Sequence, residues 1–202
     1  FFHKQFYDEY YPLLAGQAGW DKVLDKYGID IALLAYSSGP YRRLNDRLFS
    51  HPEWRLVYWD DISLVYAKAS VTNKKLLEEF GNDRFNPDRE LYADFAGMPL
   101  ARVQKILSIA EKDLEAAGSS YKASAVAANA YFALGENRKA LVLYESALQS
   151  IPVPNAGIYY QMARTYRNLG DLERTEEYLW KCLAIAPGAT EVGDMLREVQ
   201  WL

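Results

Sequence analysis

The sequence predicts an α+β chain. It comprises a small N-terminal α/β unit over residues 1–81, built on a parallel pair of strands plus a hairpin, then a linker over 82–98 and an all-α array of paired helices over 99–202. Three observations carry this. Laying the chain over itself with a shift of 35 residues brings Tyr131 onto Tyr166, Gly135 onto Gly170, Leu148 onto Leu183 and Pro152 onto Pro187, which marks an internal repeat. In the N-terminal third the apolar runs are short and bounded by turn residues, as strands require. Between the two, from Asn82 to Gly97, the chain turns polar and carries Asn86-Pro87 and then Met98-Pro99, the punctuation of a boundary.

Taken in order, residues 1–27 are dense in aromatics: Phe1, Phe2, Phe6, Tyr7, Tyr10, Tyr11, Trp20 and Tyr27. Phe6, Tyr10, Leu13 and Leu14 are spaced for one helix face, with Pro12 expected to distort or restart that helix. A second short helix runs from Trp20 to Tyr27 and stops at Gly28. The run Ile29–Ser37 reads as a buried strand. After Gly39-Pro40 a helix passes through Leu44 and Leu48, and Trp54–Trp59 forms the next strand. Strand, helix, strand in this order predicts a right-handed crossover and a parallel pair. Asp60-Asp61 then reads as a tight turn that closes a hairpin with Ile62–Lys68. A helix from Thr72 to Phe80, ended by Gly81, leads out of the unit.

In the C-terminal half, Pro99 opens a long helix to Ala117 with Val103, Ile106, Leu107 and Ala110 as its apolar stripe. It lacks the repeat's Tyr and Gly, and so reads as a degenerate copy or a lid. In the two full copies, Ser124, Ala127, Ala128 and Tyr131, and then Tyr159, Met162, Ala163 and Tyr166, fall at i, i+3, i+4 and i+7, one stripe of a helix. Ala140, Tyr144 and Ala147 face the first stripe; Thr175, Leu179 and Cys182 face the second. Gly135 and Gly170 free the chain from the helical well between the paired helices. This set of positions resembles the tetratricopeptide repeat, whose period is about 34 residues, the extra residue falling in Val153-Pro154-Asn155. The resemblance implies stacked helical hairpins whose first helices line a concave face. A terminal helix over Thr190–Leu202, with Val192, Met195, Leu196 and Val199 inward, is expected to cap the stack.

A second resemblance spans residues 19–68. Gly19-Trp20, Leu24–Asp30, Trp54–Asp61 and Val65-Tyr66 are similar to the soluble tail of bacterial multi-spanning membrane proteins related to lipid-linked-sugar glycosyltransferases. That likeness implies a unit on the extracytoplasmic (periplasmic) face of the inner membrane, with the catalytic residues elsewhere in the protein. The chain begins Phe1-Phe2-His3 without Met, so it is expected to be a piece of a longer protein, tethered to a membrane through the region before Phe1. A cytoplasmic location is the alternative, and no oligomeric state is implied.

Composition narrows the chemistry. With 50% hydrophobic residues a proper core is available, and a net charge of −4 with both signs interspersed gives no footprint for nucleic acid. No apolar run approaches the roughly 18 residues of a membrane span. A single cysteine cannot form an internal disulfide. The two histidines, His3 and His51, have no Cys, Asp or Glu at ligand spacing, and His51 before Pro52 and Glu53 reads as a capping residue. Asp60-Asp61 is explained by a turn, Glu78-Glu79 and Glu176-Glu177 by solvated helix faces, and Cys182 by the packing stripe. No phosphate loop, nucleophile elbow or triad order is present. No catalytic residue, cofactor or metal is therefore predicted.

Binding residues are better defined. On the first helix of copy two, Tyr160, Gln161, Arg164, Arg167 and Asn168 share a polar and aromatic face beside the packing stripe; in copy one the same face holds Lys122, Ala125, Asn129 and Phe132. Guanidinium forks bind oxygen pairs and side-chain amides hold backbone, so the face suits an extended, acidic or carboxylate-ended peptide. The family resemblance further implies Lys122, Asn129 and Arg164 as a carboxylate clamp. The expected function is a non-catalytic module that binds a protein segment in the concave groove. The alternative is an accessory domain of a glycosyltransferase-like membrane enzyme, helping to bind a saccharide acceptor or lipid-linked donor.

Overall fold

A computed structural model describes residues 4–35, 41–81, 85–151, 153 and 155–201. Phe1, Phe2, His3, Ser37, Gly39, Pro40, Asn82, Pro152, Pro154 and Leu202 lie outside the described residues. The chain divides into two compact units, one through Asp88 and one from Arg89. The division falls inside the 82–98 stretch, which carries a short helix and buried Phe85, Leu91 and Phe95.

The first unit runs α1 (Lys4–Leu14), α2 (Trp20–Lys26), β1 (Ile31–Ala35), α3 (Tyr41–Ser50), β2 (Trp54–Trp59), β3 (Ser63–Lys68) and α4 (Lys74–Phe80). Pro12 does not restart α1, which runs through it. Pro12 sits in the last turn, where the one bond it forgoes is to the carbonyl of solvent-exposed Asp8, and the following amides still bond back at 3.0 Å to Tyr11 and Pro12. Gly28 ends the next turn with φ 62°. The sheet order is β1-β3-β2 with both pairings antiparallel, Leu33 opposite Val65 and Leu56 opposite Tyr66.

The expected parallel pair does not form. β1 and β2 do run in the same direction, since each is antiparallel to β3, but β3 occupies the slot between them. The hairpin turn explains why. Asp60 Oδ1 accepts the Ile62 and Ser63 amides, both at 2.6 Å, and folds β3 directly back along β2. β3 then offers its far edge to β1. The turn holds Asp60, Asp61 and Ile62, one residue more than a two-residue hairpin. Nor is β1 a buried strand: only Leu34 is enclosed, and Leu33 is 69% exposed. It lies at the sheet edge with α3 covering one face, so alternate residues meet water. Tyr66 is fully buried and donates its hydroxyl to Asn45 Oδ1 at 2.6 Å, tying α3 to the central strand. His51 Nδ1 accepts the Glu53 amide at 3.2 Å within the turn between α3 and β2, so it braces a turn and caps no helix.

Helix α5 (Pro87–Tyr92) spans the division, and the second unit continues with α6 (Leu100–Ala117), α7 (Tyr121–Ala133), α8 (Asn137–Ser150), α9 (Ala156–Asn168), α10 (Leu172–Ile185) and α11 (Thr190–Gln200). Under the 35-residue shift the helix starts coincide as well as the stripes. Ser120 Oγ caps the Ala123 amide of α7, and Asn155 Oδ1 caps the Gly157 and Ile158 amides of α9. Both turns use a left-handed glycine, Gly135 and Gly170 each at φ 77°. In both, the residue after the glycine bonds back to the repeat tyrosine: Glu136 N to Tyr131 O at 2.9 Å, and Asp171 N to Tyr166 O at 3.0 Å.

Small side chains let the helices close. Ala127, Ala128, Ala140, Ala147 and Ala163 are all fully enclosed. Thr175, standing where copy one has Ala140, bonds its hydroxyl to Asp171 O at 2.7 Å and so enters the core without an unpaired polar atom. Ala163, Leu179, Cys182, Val192, Leu196 and Val199 form one cluster that seats α11 on the last hairpin. At the other end α6 packs on α7 as a lid. Tyr131 donates its hydroxyl to Glu111 Oε1 of α6 at 2.5 Å.

That bond, together with burial, pushes the Tyr131 phenol up to about 12. The folded value lies above the ordinary phenol value of about 10, so the fold holds this proton more tightly than the open chain. The contribution is complete below pH ~10 and is lost as pH climbs to about 12. Tyr131→Phe is expected to flatten the fall in melting temperature across that window, read by circular dichroism. Among the described residues no helix is long and apolar enough to cross a membrane, and no group of three or more His, Cys, Asp or Glu is placed to hold a metal ion.

Candidate functional site

A groove of about 970 Å³ opens in the second unit on the inner side of α7 and α9. α9 supplies its floor through Tyr160, Gln161, Arg164, Arg167 and Asn168, all residues of the expected face. α7 contributes Ala125, Asn129 and Phe132; Glu191 and Met195 of α11 stand at one end, Leu91 and Asp94 at the other. Eight of the nine residues of the expected face therefore line this groove.

The exception is Lys122, which is buried and absent from the groove lining. The reason lies in α7 as a whole. Every residue from Lys122 to Ala130 is enclosed, so Lys122 is covered along with its neighbours. Its run of Ala and Val on all sides is the mark of a buried helix rather than an amphipathic one. The implied clamp of Lys122, Asn129 and Arg164 is thus not assembled. Asn129 is committed inside the fold: its amide donates to Leu91 O at 3.1 Å and Glu90 O at 3.4 Å, and its carbonyl oxygen accepts the Tyr144 hydroxyl at 2.7 Å.

Arg164 is the centre of the floor. Its guanidinium lies 5.0 Å from the Phe132 ring and 5.9 Å from the Tyr160 ring, so it joins the two copies through cation–π contacts. Nη1 donates to Gln161 Oε1 at 3.2 Å and Nη2 approaches Asp94 Oδ2 at 3.5 Å. Arg167 is engaged too, with Glu198 Oε2 of α11 at 2.9 Å. Burial raises the Tyr160 phenol, with Arg164 opposing. The groove is consequently not a bare positive trough: each arginine already faces a carboxylate of this chain. Gln161, whose side-chain oxygen already accepts from Arg164, keeps its NH2 group on the floor beside Asn168, and Tyr160 supplies the adjoining ring.

Asp94 and Glu191 line the groove and Glu198 pairs with Arg167, and the sequence reading names none of the three. Glu191 and Glu198 sit seven residues apart in α11, beside its buried stripe of Val192, Leu196 and Val199, a spacing that puts both on one side of the helix. Asp94 gave no comparable signal, because it lies in a polar stretch distant in sequence from α9.

Residues 156–188, which take in α9 and α10, match the tetratricopeptide repeat family. Comparison with curated proteins finds no match. The helical unit carries a tetratricopeptide repeat, an element that builds protein-interaction surfaces.

Proposed function

We propose that the helical unit is a non-catalytic protein-interaction module whose groove takes an extended segment of a partner protein along α9. The observation that carries this is the spacing of two side-chain amides on the floor, Gln161 with its NH2 group and Asn168. Gln161 and Asn168 are two turns apart on one helix face, about 10.5 Å along the axis at about 1.5 Å per residue. Three residues of a polyproline-II segment make one turn and cover about 9 Å, at about 3.1 Å per residue, so the two amides can meet backbone groups of residues i and i+3 on one side of such a segment. Tyr160 and Phe132 present ring faces beside them, and Arg164 lies between the amides, where it can meet a side-chain carboxylate of the same segment. The groove volume, about 970 Å³, is at the upper end of the about 300–1,000 Å³ typical of ligand sites.

The test uses an array of synthetic 12-residue peptides probed with the labelled 202-residue chain. Gln161→Ala combined with Asn168→Ala is expected to weaken every captured peptide by about fivefold or more, two backbone hydrogen bonds at ~0.5–1.5 kcal/mol each, with an unchanged melting temperature. Capture that survives the double substitution rejects the α9 face as the site.

A further inference from the structure

One stretch of the chain already rests on the groove wall. Asn129 holds the Glu90 and Leu91 carbonyls from α7, the Leu91 and Phe95 side chains are buried, and Glu90 is enclosed beside Arg102 at 3.3 Å. Its backbone is therefore fixed. Asp94 departs from this pattern, with a side chain 59% exposed that turns toward the groove. One carboxylate oxygen accepts the Ala96 amide at 3.0 Å; the other stands 3.5 Å from Arg164 Nη2. That separation is long for a charge-assisted bond, which prefers about 2.7–2.9 Å. Arg164, by contrast, is held between two aromatic rings with its side chain only 22% exposed. A fixed cation thus faces a loosely engaged anion.

We infer that Asp94 is a resident counter-ion of the groove, which a carboxylate of the bound segment displaces from Arg164, so that Asp94 competes with acidic partners and sets the groove's affinity for them. The inference rests on the groove being the docking site. Displacement needs only a side-chain rotation, because Asn129, Leu91 and Phe95 keep the backbone in place. The ion pair given up is an exposed one, of little worth in water, whereas the arginine that receives the ligand is already oriented. Arg167 does not offer the same exchange, since its bond to Glu198 is short, at 2.9 Å.

The experiment follows the Arg164 Nε–Hε resonance of the 15N-labelled full chain during titration with sodium acetate, with sodium chloride at equal ionic strength as control. Asp94→Asn removes the charge and keeps an oxygen for the Ala96 amide. Half-saturation by acetate is expected at about two- to fivefold lower concentration in Asp94→Asn than in the parent, the range for losing one exposed ion pair. Asp94→Ser, which also keeps an oxygen, should behave alike. Equal half-saturation in parent and variants, or no acetate-specific shift in any of them, overturns the inference. Because the probe is a bare carboxylate, failure of peptide capture alongside an intact acetate difference would count against the docking reading alone.

Discussion

Asn129→Leu is expected to destabilise the helical unit by about 2–4 kcal/mol. Leu fills a similar volume, so the loss comes from polar groups and not from a cavity. The substitution strands the Leu91 carbonyl, bonded at 3.1 Å, and the Tyr144 hydroxyl, bonded at 2.7 Å, inside the core. A buried donor or acceptor left without its partner costs about 1–3 kcal/mol. Tyr144 is 1% exposed, and burial holds its phenol well above the ordinary value. Urea melts of Asn129→Leu, Tyr144→Phe and the double variant form a cycle. The double variant should lie less than the summed losses below the parent, because removing both partners leaves one stranded group fewer. Additive losses would mean that the Asn129–Tyr144 bond contributes nothing to the fold.

Leu179→Ala is expected to cost about 2–5 kcal/mol, the span for emptying a leucine site in a core that relaxes only in part. Leu179 is wholly enclosed in the cluster of Ala163, Cys182, Val192, Leu196 and Val199. It therefore bears on α9 and on α11 at once. The consequence reaches the groove: α11 carries Glu198, the partner of Arg167, and α9 carries the whole floor. Denaturation of Leu179→Ala should show the loss, and hydrogen exchange of the α9 and α11 amides should rise together. Faster exchange in α11 alone would mean that the last hairpin does not depend on this contact.

These two residues also show what the sequence could and could not reveal. Leu179 was legible because helical period and a 35-residue repeat place it on a stripe facing Met162 and Ala163 without any knowledge of tertiary structure. The same logic found Arg164, Gln161 and Asn168, whose side chains project from the neighbouring face of one helix. Asn129 was placed on the groove but not understood, because its bonds reach 38 and 39 residues back to carbonyls of a stretch read as a linker. Backbone acceptors leave no trace in side-chain pattern. Lys122 was misplaced through weighting its charge above its neighbours; Ala123, Ala125, Val126, Ala127 and Ala128 around it already described a helix enclosed on every side.

The sheet shows a similar limit. Local pattern marks the strands, but no local signal says which of them are neighbours, and β3 takes the slot between β1 and β2. The Asp60 turn made β2 and β3 neighbours, and the remaining edge of β3 then received β1. The likeness of residues 19–68 to membrane-protein tails rests on the sequence alone.

The docking claim is tested most directly by recording backbone amide shifts of the 15N-labelled chain as the best peptide from the array is added. Shifts concentrated on Tyr160, Gln161, Arg164 and Asn168, with Phe132 the most affected residue of α7, are the predicted result. Shifts centred on the outer helices α8 and α10, or on the unit that ends at Asp88, would contradict it.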